Sequence, residues 1–338
     1  MKNILIVQTA FLGDLLMSSP LIKAVKKAFP DSKIDILVKD GLQSVPEEDS
    51  NINRIITLSK NKGLIHRLFG FFSVLSLLRR NNYYYAFSMQ ISMTSSLLLY
   101  LASIPVRVGA RRQKLLSHKV VFPRKGMHIR HRALELIKRI RKDDYDDKTY
   151  IVLSDSDRKK ADLLFPSDHK YKYYIAVSPG SVRATKMWPL KYYAELLSMF
   201  DDTFFFLTGT TEEKGLCERI LKESNAQGII TAGSLSIRET AALIKKCDMV
   251  LCNDSAPLHM ANCVKTPVAA FFGPTVKGFG CYPYRKYDIL FETNDLICRP
   301  CGKHGGKKCP EEHFRCMNDI IPADVFPVIM NRIRELYA

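Results

Sequence analysis

The sequence has no long apolar run. Its longest apolar stretch, Leu68–Leu78, has 11 residues, whereas about 20 are needed to span a bilayer. The first residues, MKNILIVQ, lack the polar-then-apolar pattern and the small-residue cleavage site of a signal peptide. We therefore expect a cytoplasmic protein whose nine cysteines are reduced thiols.

A glycine-rich dinucleotide loop is also missing. No GxGxxG motif follows the first strand of either half of the chain, which argues against a nicotinamide-dependent oxidoreductase. The first loop instead holds one glycine, Gly13, followed by the acid Asp14. A carboxylate thus stands at a predicted helix start, where such folds usually bind a phosphate.

Acidic residues are few compared with basic ones. The chain has 51 Lys and Arg against 34 Asp and Glu, for a net charge of +17. Residues 104–142 contain 13 basic residues and one acid, Glu135. This basic stretch includes Arg107, Arg111, Arg112, Lys114, Lys119, Arg124, Lys125, Arg130 and Arg132. It could face nucleic acid, anionic lipid or a phosphorylated substrate, or it could be a solvated surface without a partner.

Strand and helix patterns alternate in two series, which predicts two doubly wound α/β domains facing a cleft. The first series begins with KNILIVQ and a helix at about Leu15–Phe29, and it includes an apolar helix near Leu64–Arg80. We expect the first domain at residues 1–165, a linker at 165–172 and the second domain at 173–323. Residues 324–338 are predicted to form a terminal helix that could pack on the first domain.

Four loops of the second series carry candidate binding residues, because ligands of such folds lie beyond the carboxyl ends of the strands. Ser178–Leu190 offers backbone amides near Ser181 and a positive charge at Lys186. Cys252–Ala261 offers Asp254, Ser255 and His259, although Asp254 or Ser255 could simply cap the helix. The others are FFGPT and LTGTTEE, in which Glu212 or Glu213 could hold a ribose hydroxyl.

The motifs FLGD, PGS…TKMWP, NDSAPLHMA and FFGPT, in this order, resemble those of the ADP-heptose:lipopolysaccharide heptosyltransferases, glycosyltransferase family 9. The resemblance covers essentially the whole chain. It implies the GT-B fold of two Rossmann-like domains, in which the first binds the acceptor and the second binds the ADP-sugar. It also implies transfer of heptose from ADP-L-glycero-D-manno-heptose to the inner core of lipopolysaccharide, with inversion at the anomeric carbon.

The resemblance also assigns roles to the candidate residues. Asp14 matches the catalytic aspartate, which takes the proton of the acceptor hydroxyl, and Lys186 matches a lysine that stabilises the departing diphosphate. The residues expected at the ADP-sugar are Gly13, Ser181, Lys186, Glu212, Asp254, Ser255, Ala256 and His259. The Asp-x-Asp metal motif of other glycosyltransferases has no convincing counterpart here, so we expect no metal or other cofactor to be required.

The implied acceptor is anionic and lies at the inner face of the cytoplasmic membrane of a Gram-negative type of bacterium. The resemblance thus implies a cytoplasmic, peripheral membrane protein that binds no nucleic acid. Two alternatives stay open. One is a family member that uses another nucleotide sugar or acceptor, and the other is a basic nucleic-acid-binding protein, although no recognition motif is present.

A cysteine cluster stands near the end of the chain. Cys298, Cys301, Cys309 and Cys316 are separated by 2, 7 and 6 residues. One CxxC pair followed by two further cysteines is compatible with a zinc site, but the spacing matches no standard zinc finger. We therefore expect a reduced, packed loop, and zinc binding is the alternative. The pattern also resembles the heptosyltransferase II subgroup, which adds the second heptose to the first.

Overall fold

The computed structural model describes residues 2–59, 63–122, 126–168 and 170–337. The chain forms two compact units, residues 1–152 and residues 153–338. Arg124 and Lys125 of the basic stretch, and His169 of the predicted linker, lie outside the described residues.

The first unit contains a parallel six-stranded sheet with helices on both faces. Its strands are β1 (Asn3–Gln8), β2 (Lys33–Lys39), β3 (Arg54–Leu58), β4 (Tyr83–Ser88), β5 (Val106–Ala110) and β6 (His118–Val120). Its helices are α1 (Leu12–Met17), α2 (Ser19–Ala28), α3 (Leu64–Arg80), α4 (Met93–Leu101) and α5 (Ile129–Lys138). The strand order β3-β2-β1-β4-β5-β6 is that of a doubly wound sheet, whose order reverses between β1 and β4.

The predicted helix at Leu15–Phe29 is two helices. α1 begins earlier than predicted and ends at Met17, and α2 follows after Ser18. Pro20 has no N–H to donate to the carbonyl of Leu16, and the hydroxyl of Ser19 donates to that carbonyl instead, at 2.8 Å. The backbone hydrogen-bond pattern of the helix is therefore interrupted one turn after Asp14.

The sequence does not predict β5 and β6, the last two strands of this sheet. The described part of residues 93–138 contains α4, β5, β6 and α5, where the sequence predicted no elements. β6 has only three residues, and β5 contains Arg107 and Gly109, which break the apolar strand pattern. The basic residues of this region do not form one free surface. Arg107 donates to the carbonyl of Leu115 at 2.9 Å, and Arg130 pairs with Asp147 at 3.2 Å.

The predicted apolar helix is present as α3, with the predicted bounds. Its inner face packs beside α4 in one core that contains Val74, Leu75 and Leu78. Within the described residues, no helix combines the length and the apolar character that crossing a membrane requires.

The second unit repeats the plan of the first. Its strands are β7 (Tyr173–Ser178), β8 (Thr203–Leu207), β9 (Gly228–Ile230), β10 (Met249–Asn253), β11 (Val268–Phe272) and β12 (Ile289–Glu292). Its helices are α6 (Asp155–Asp162), α7 (Leu190–Ser198), α8 (Lys214–Ser224), α9 (Ile237–Lys246), α10 (Ala256–Val264), α11 (Arg315–Asn318) and α12 (Pro322–Tyr337). The order β12-β11-β10-β7-β8-β9 again reverses once, between β7 and β10. Two doubly wound α/β units were predicted, and both are confirmed.

The division between the units falls before the predicted linker at 165–172. α6 packs against α9, and Arg238 of α9 pairs with Asp157 of α6 at 3.0 Å, so the second unit begins near residue 153. α12 contributes Val325, Ile329 and Ile333 to the core of the second unit.

Candidate active site

The candidate residues of the second unit gather where its strand order reverses. β7 and β10 are neighbouring parallel strands, so the loops that follow them leave the sheet side by side. The first loop leads from Ser178 to Lys186, and the second leads from Asn253 into α10. Crevices of this kind are where doubly wound sheets bind ligands.

Asn253, the last residue of β10, holds the two loops together. It is fully buried, and its amide nitrogen donates to the carbonyl of Pro179 at 2.7 Å. Its amide oxygen accepts from the backbone N–H of Trp188 at 2.9 Å. One side chain therefore fixes both ends of the loop that carries Lys186.

Lys186 and Asp254 form a buried ion pair. The Nζ atom of Lys186 lies 2.6 Å from Oδ2 of Asp254, and the two side chains are 14% and 8% exposed. Thr275, in the loop after β11, donates to the same oxygen at 2.7 Å. Lys186 also donates to the carbonyl of Asp254 at 3.3 Å. Among the bonds of the described residues, the ammonium thus has one N–H left for an anion.

The start of α10 leaves backbone donors for a ligand. Ser255 is the N-cap residue, but its side chain makes no capping hydrogen bond, and its hydroxyl lies 3.4 Å from the carbonyl of Asn253. The alternative that this serine only caps the helix is therefore wrong. Ala256 and Pro257 occupy the first turn. The N–H groups and the dipole at a helix start favour an anion.

His259 lies one turn into α10 and is buried. Burial, together with the nearby positive charge of Lys186, lowers its pKa to about 3. The imidazole is therefore neutral at physiological pH. It can exchange hydrogen bonds with a ligand but cannot act as a cationic acid.

The two glutamates of the loop after β8 have different surroundings. Glu213 completes a capping box by accepting from the N–H of Thr210 at 2.8 Å. A Cβ atom on Gly180 would lie 1.9 Å from Oε1 of Glu213, so this side chain requires glycine at position 180. Glu212 is exposed, and hydrogen bonds from its own backbone N–H and from the side chain of Thr210 lower its pKa. Glu213 is thus engaged within the protein, whereas the side chain of Glu212 lies at the surface.

The loop of the cysteine cluster supports the turn that carries Lys186. Thr185 precedes this lysine, and its hydroxyl donates to the carbonyl of Gly306 at 3.0 Å and accepts from the N–H of Gly306 at 2.8 Å. Gly305 has a φ of +68°, and a Cβ there would lie 2.9 Å from Oγ1 of Thr185. Ser181, further back in the same turn, is half-buried, and its hydroxyl accepts from the N–H of Arg183 at 3.3 Å.

The four cysteines of the cluster carry free thiols. Burial and the neighbouring thiols raise the pKa of Cys301, and they raise that of Cys316 to about 11. Among the described residues, no group of three or more His, Cys, Asp or Glu side chains is arranged to hold a metal ion. The zinc site at Cys298, Cys301, Cys309 and Cys316 and the reduced loop stay predictions.

Gly13 and Asp14 lie in the first unit, after β1. Asp14 is in the first turn of α1 and is half-buried. The side chain of Gln8 donates to its carbonyl at 3.4 Å, which links the loop to the end of β1. Because α1 has six residues, the helix dipole behind this carboxylate is smaller than the predicted long helix would supply.

Comparisons with known proteins identify the family. A model of glycosyltransferase family 9 (heptosyltransferase) matches residues 71–314. This chain belongs to glycosyltransferase family 9. Lipopolysaccharide heptosyltransferase 3 of Escherichia coli is 27% identical over 78% of this chain and 80% of its own. The predicted family and the predicted glycosyltransferase activity are confirmed.

Solved structures share the fold. A glycosyltransferase family 9 protein from Veillonella parvula has a TM-score of 0.87 at 20% identity, and the similarity covers 99% of this chain and 98% of the other. The E. coli ADP-heptose lipopolysaccharide heptosyltransferase II has a TM-score of 0.78 at 20% identity over all of both chains. In the present chain, the second unit carries the cluster of Lys186, Asp254 and Thr275 described above.

Several contacts at this glycosyltransferase site were missed by the sequence analysis. The sequence shows Asn253 only as part of the Asn-Asp-Ser motif and Thr275 only as the end of FFGPT. Thr185 and Gly306 are 121 residues apart, so no local pattern relates them. The sequence offered one signal for these contacts, an asparagine at the end of a buried strand. A buried side-chain amide needs hydrogen-bond partners, so this residue indicates a contact with a neighbouring loop.

Proposed function

We propose that this protein is an inverting heptosyltransferase that uses ADP-L-glycero-D-manno-heptose and acts on the inner core of lipopolysaccharide, where it adds the second heptose. The observation that carries the proposal is the buried pair of Lys186 and Asp254 beside the uncapped start of α10. A positive group and open amides at a switch point suit a diphosphate. The ADP-heptose named for one structural neighbour supports the choice of donor.

In this mechanism an acceptor hydroxyl attacks the anomeric carbon of heptose from the side opposite to ADP. The new C–O bond forms while the bond to the β-phosphate oxygen breaks, and the electron pair leaves with ADP. Asp14 takes the hydroxyl proton as general base. Inversion follows because a single displacement occurs.

The charge that develops on ADP is met by groups of the second unit. Lys186 donates to the diphosphate, and the amides at Ser181 and at Ser255–Ala256 add donors that are already oriented. Asp254 holds the ammonium in place, and neutral His259 forms a hydrogen bond with the sugar nucleotide. Glu212 binds a ribose hydroxyl, and Gly13 lies at the heptose of the ADP-sugar. These groups supply the positive charge, so the proposed reaction requires no metal.

The donor choice is tested with purified protein, a heptose-bearing core acceptor and a panel of nucleotide sugars. We expect release of ADP and an acceptor mass gain of one heptose with ADP-heptose, and little product with UDP- or GDP-sugars. Efficient transfer from another nucleotide sugar would favour the alternative family member. A salt-sensitive shift of plain nucleic acid, without sugar transfer, would favour the nucleic-acid-binding alternative.

The proposed acceptor places the protein at the inner face of the cytoplasmic membrane. Arg111, Arg112 and Lys114 are exposed basic residues of the first unit, and each charge near an anionic surface contributes about 1 kcal/mol. Reversal of all three charges to Glu is expected to raise the apparent KM for a membrane-embedded acceptor and to leave ADP-heptose binding unchanged. If the reversal changes only the binding of ADP-heptose, these three residues belong to a solvated surface and do not contact the membrane.

A further inference from the structure

We infer that the carboxyl edge of the first sheet carries an apolar patch that inserts into the surface of an anionic lipid bilayer. The patch consists of Leu68, Phe69, Phe72, Ile91, Met93 and Leu97, and all six side chains are exposed. The inference rests on the proposed function, because it states how this enzyme reaches a lipid-linked acceptor. The patch would bind the bilayer by burial of apolar side chains, in addition to the attraction of the basic residues.

α3 changes character along its outward face. Near its N-terminal end this face shows Phe69 and Phe72, which are 73% and 60% exposed. One turn later the exposed residues are Ser73 and Ser76, followed by Arg79 and Arg80. A helix that only covers a sheet has polar residues along its whole outer face. The apolar half of this face is the half that begins at the carboxyl end of β3.

The next exposed apolar group follows β4. Ile91 lies in the loop before α4, and Met93 and Leu97 lie one turn apart on its outward face. α4 packs beside α3, and both contribute to the same core. The exposed apolar side chains of the two helices thus lie on one side of the sheet and at the same edge. Soluble proteins rarely expose a clustered apolar surface unless it contacts a partner or a membrane.

Basic residues at the same edge favour an anionic bilayer as the partner. Arg111 and Arg112 directly follow β5, which neighbours β4, and both are exposed. Arg67 is exposed beside Leu68 at the start of α3. Apolar side chains flanked by arginines are the composition of surfaces that lie in the lipid headgroup region.

The location relates the patch to the chemistry. Asp14 follows β1, the strand beside β4, so the predicted base stands at the same carboxyl edge as the patch. Phe11, three residues before Asp14, is also exposed and has the ammonium of Lys39 5.3 Å from its ring centre. Docking through this edge brings Asp14 toward sugars that are anchored in the bilayer surface.

A tryptophan placed in the patch reports insertion directly. The chain has one tryptophan, Trp188, which is fully buried and stacked on Phe271 at 4.1 Å. In Phe69→Trp we expect a blue shift on vesicles of phosphatidylcholine and phosphatidylglycerol, and quenching by acyl-chain-brominated lipids. Leu163→Trp, at an 82% exposed position of the second unit, is the matched control and should change little. No quenching of Phe69→Trp on vesicles that bind the protein would overturn the inference.

Activity assays separate this inference from the proposed function. Phe69→Ser, Phe72→Ser and Met93→Ser together are expected to weaken binding to anionic vesicles by at least ~100-fold. The same variant should raise the KM for a vesicle-embedded acceptor and leave turnover of a lipid-free core saccharide within about twofold. If the wild type fails on the lipid-free saccharide as well as on the embedded acceptor, the proposed function is wrong, whereas the fluorescence result still decides the docking. If the triple variant instead turns a dimer into a monomer in sedimentation, with vesicle binding unchanged, the patch binds a second copy and the inference is wrong.

Discussion

Replacement of Lys186 by alanine tests the donor site in two ways. Asp254 is 8% exposed, and without Lys186 its carboxylate keeps Thr275 as its side-chain partner. Breaking one side of a buried ion pair costs about 3–5 kcal/mol of folding free energy. Loss of a charged hydrogen bond to the diphosphate costs a further 1.5–3 kcal/mol, roughly, in ADP binding. That corresponds to roughly a 10- to 150-fold increase in Kd.

These two effects are separated by a second variant. Lys186→Ala with Asp254→Asn removes the unpaired buried charge, so it should recover much of the stability but not the ADP affinity. Urea unfolding measures the first quantity, and calorimetric titration with ADP measures the second. Lys191→Ala is the control, because Lys191 is an exposed lysine five residues away and should change neither. If folded Lys186→Ala binds ADP within about twofold of wild type and turns over normally, Lys186 is not at the diphosphate.

Three further predictions follow from single residues. Asp14→Asn should lower kcat by roughly 10²–10⁴-fold with the ADP Kd unchanged, and near-normal turnover would show that Asp14 is not the base. The depressed pKa of His259, about 3, means that stability is lost as the pH falls from about 6.5 toward 3, because only the unfolded state takes up the proton. His259→Asn should therefore lose about 2 kcal/mol less than wild type between pH 7 and pH 5 in urea unfolding, and equal losses would contradict the buried neutral imidazole. Gly305→Ala should weaken ADP binding several-fold, because the added methyl group displaces the turn that carries Lys186. Gly302→Ala is the control: it strains the backbone at a φ of +96° but adds no contact, since nothing lies within 4 Å. Equal ADP affinities in the two glycine variants would exclude the contact.

Regular elements with an uninterrupted local pattern were predicted well. α3 has the bounds that its apolar length indicated. The doubly wound plan followed from the alternation of strands and helices. The failures have local causes. Pro20 divides the first helix, and the short β6 lacks a strand pattern of its own.

The candidate site was predictable as a set of residues but not as a set of contacts. The motifs indicated Lys186, Asp254 and His259, and the structure brings the first two into contact and lowers the pKa of the third. Lys186 and Asp254 are 68 residues apart. The pairing depends on β7 and β10 being neighbours, which is a property of the sheet order. The contact of Thr185 with Gly306 likewise depends on tertiary structure alone.

Transfer of heptose to a defined acceptor tests the proposed activity of this protein. The purified protein is incubated with ADP-heptose and, separately, with core acceptors that carry no heptose or one heptose, and the products are weighed by mass spectrometry while released ADP is measured. The proposed function predicts one added heptose on the single-heptose acceptor, an equal amount of ADP, and little product on the heptose-free acceptor. Preferred addition to the heptose-free acceptor would contradict the assignment to the second heptose. ADP release without any acceptor gaining mass would contradict heptose transfer itself.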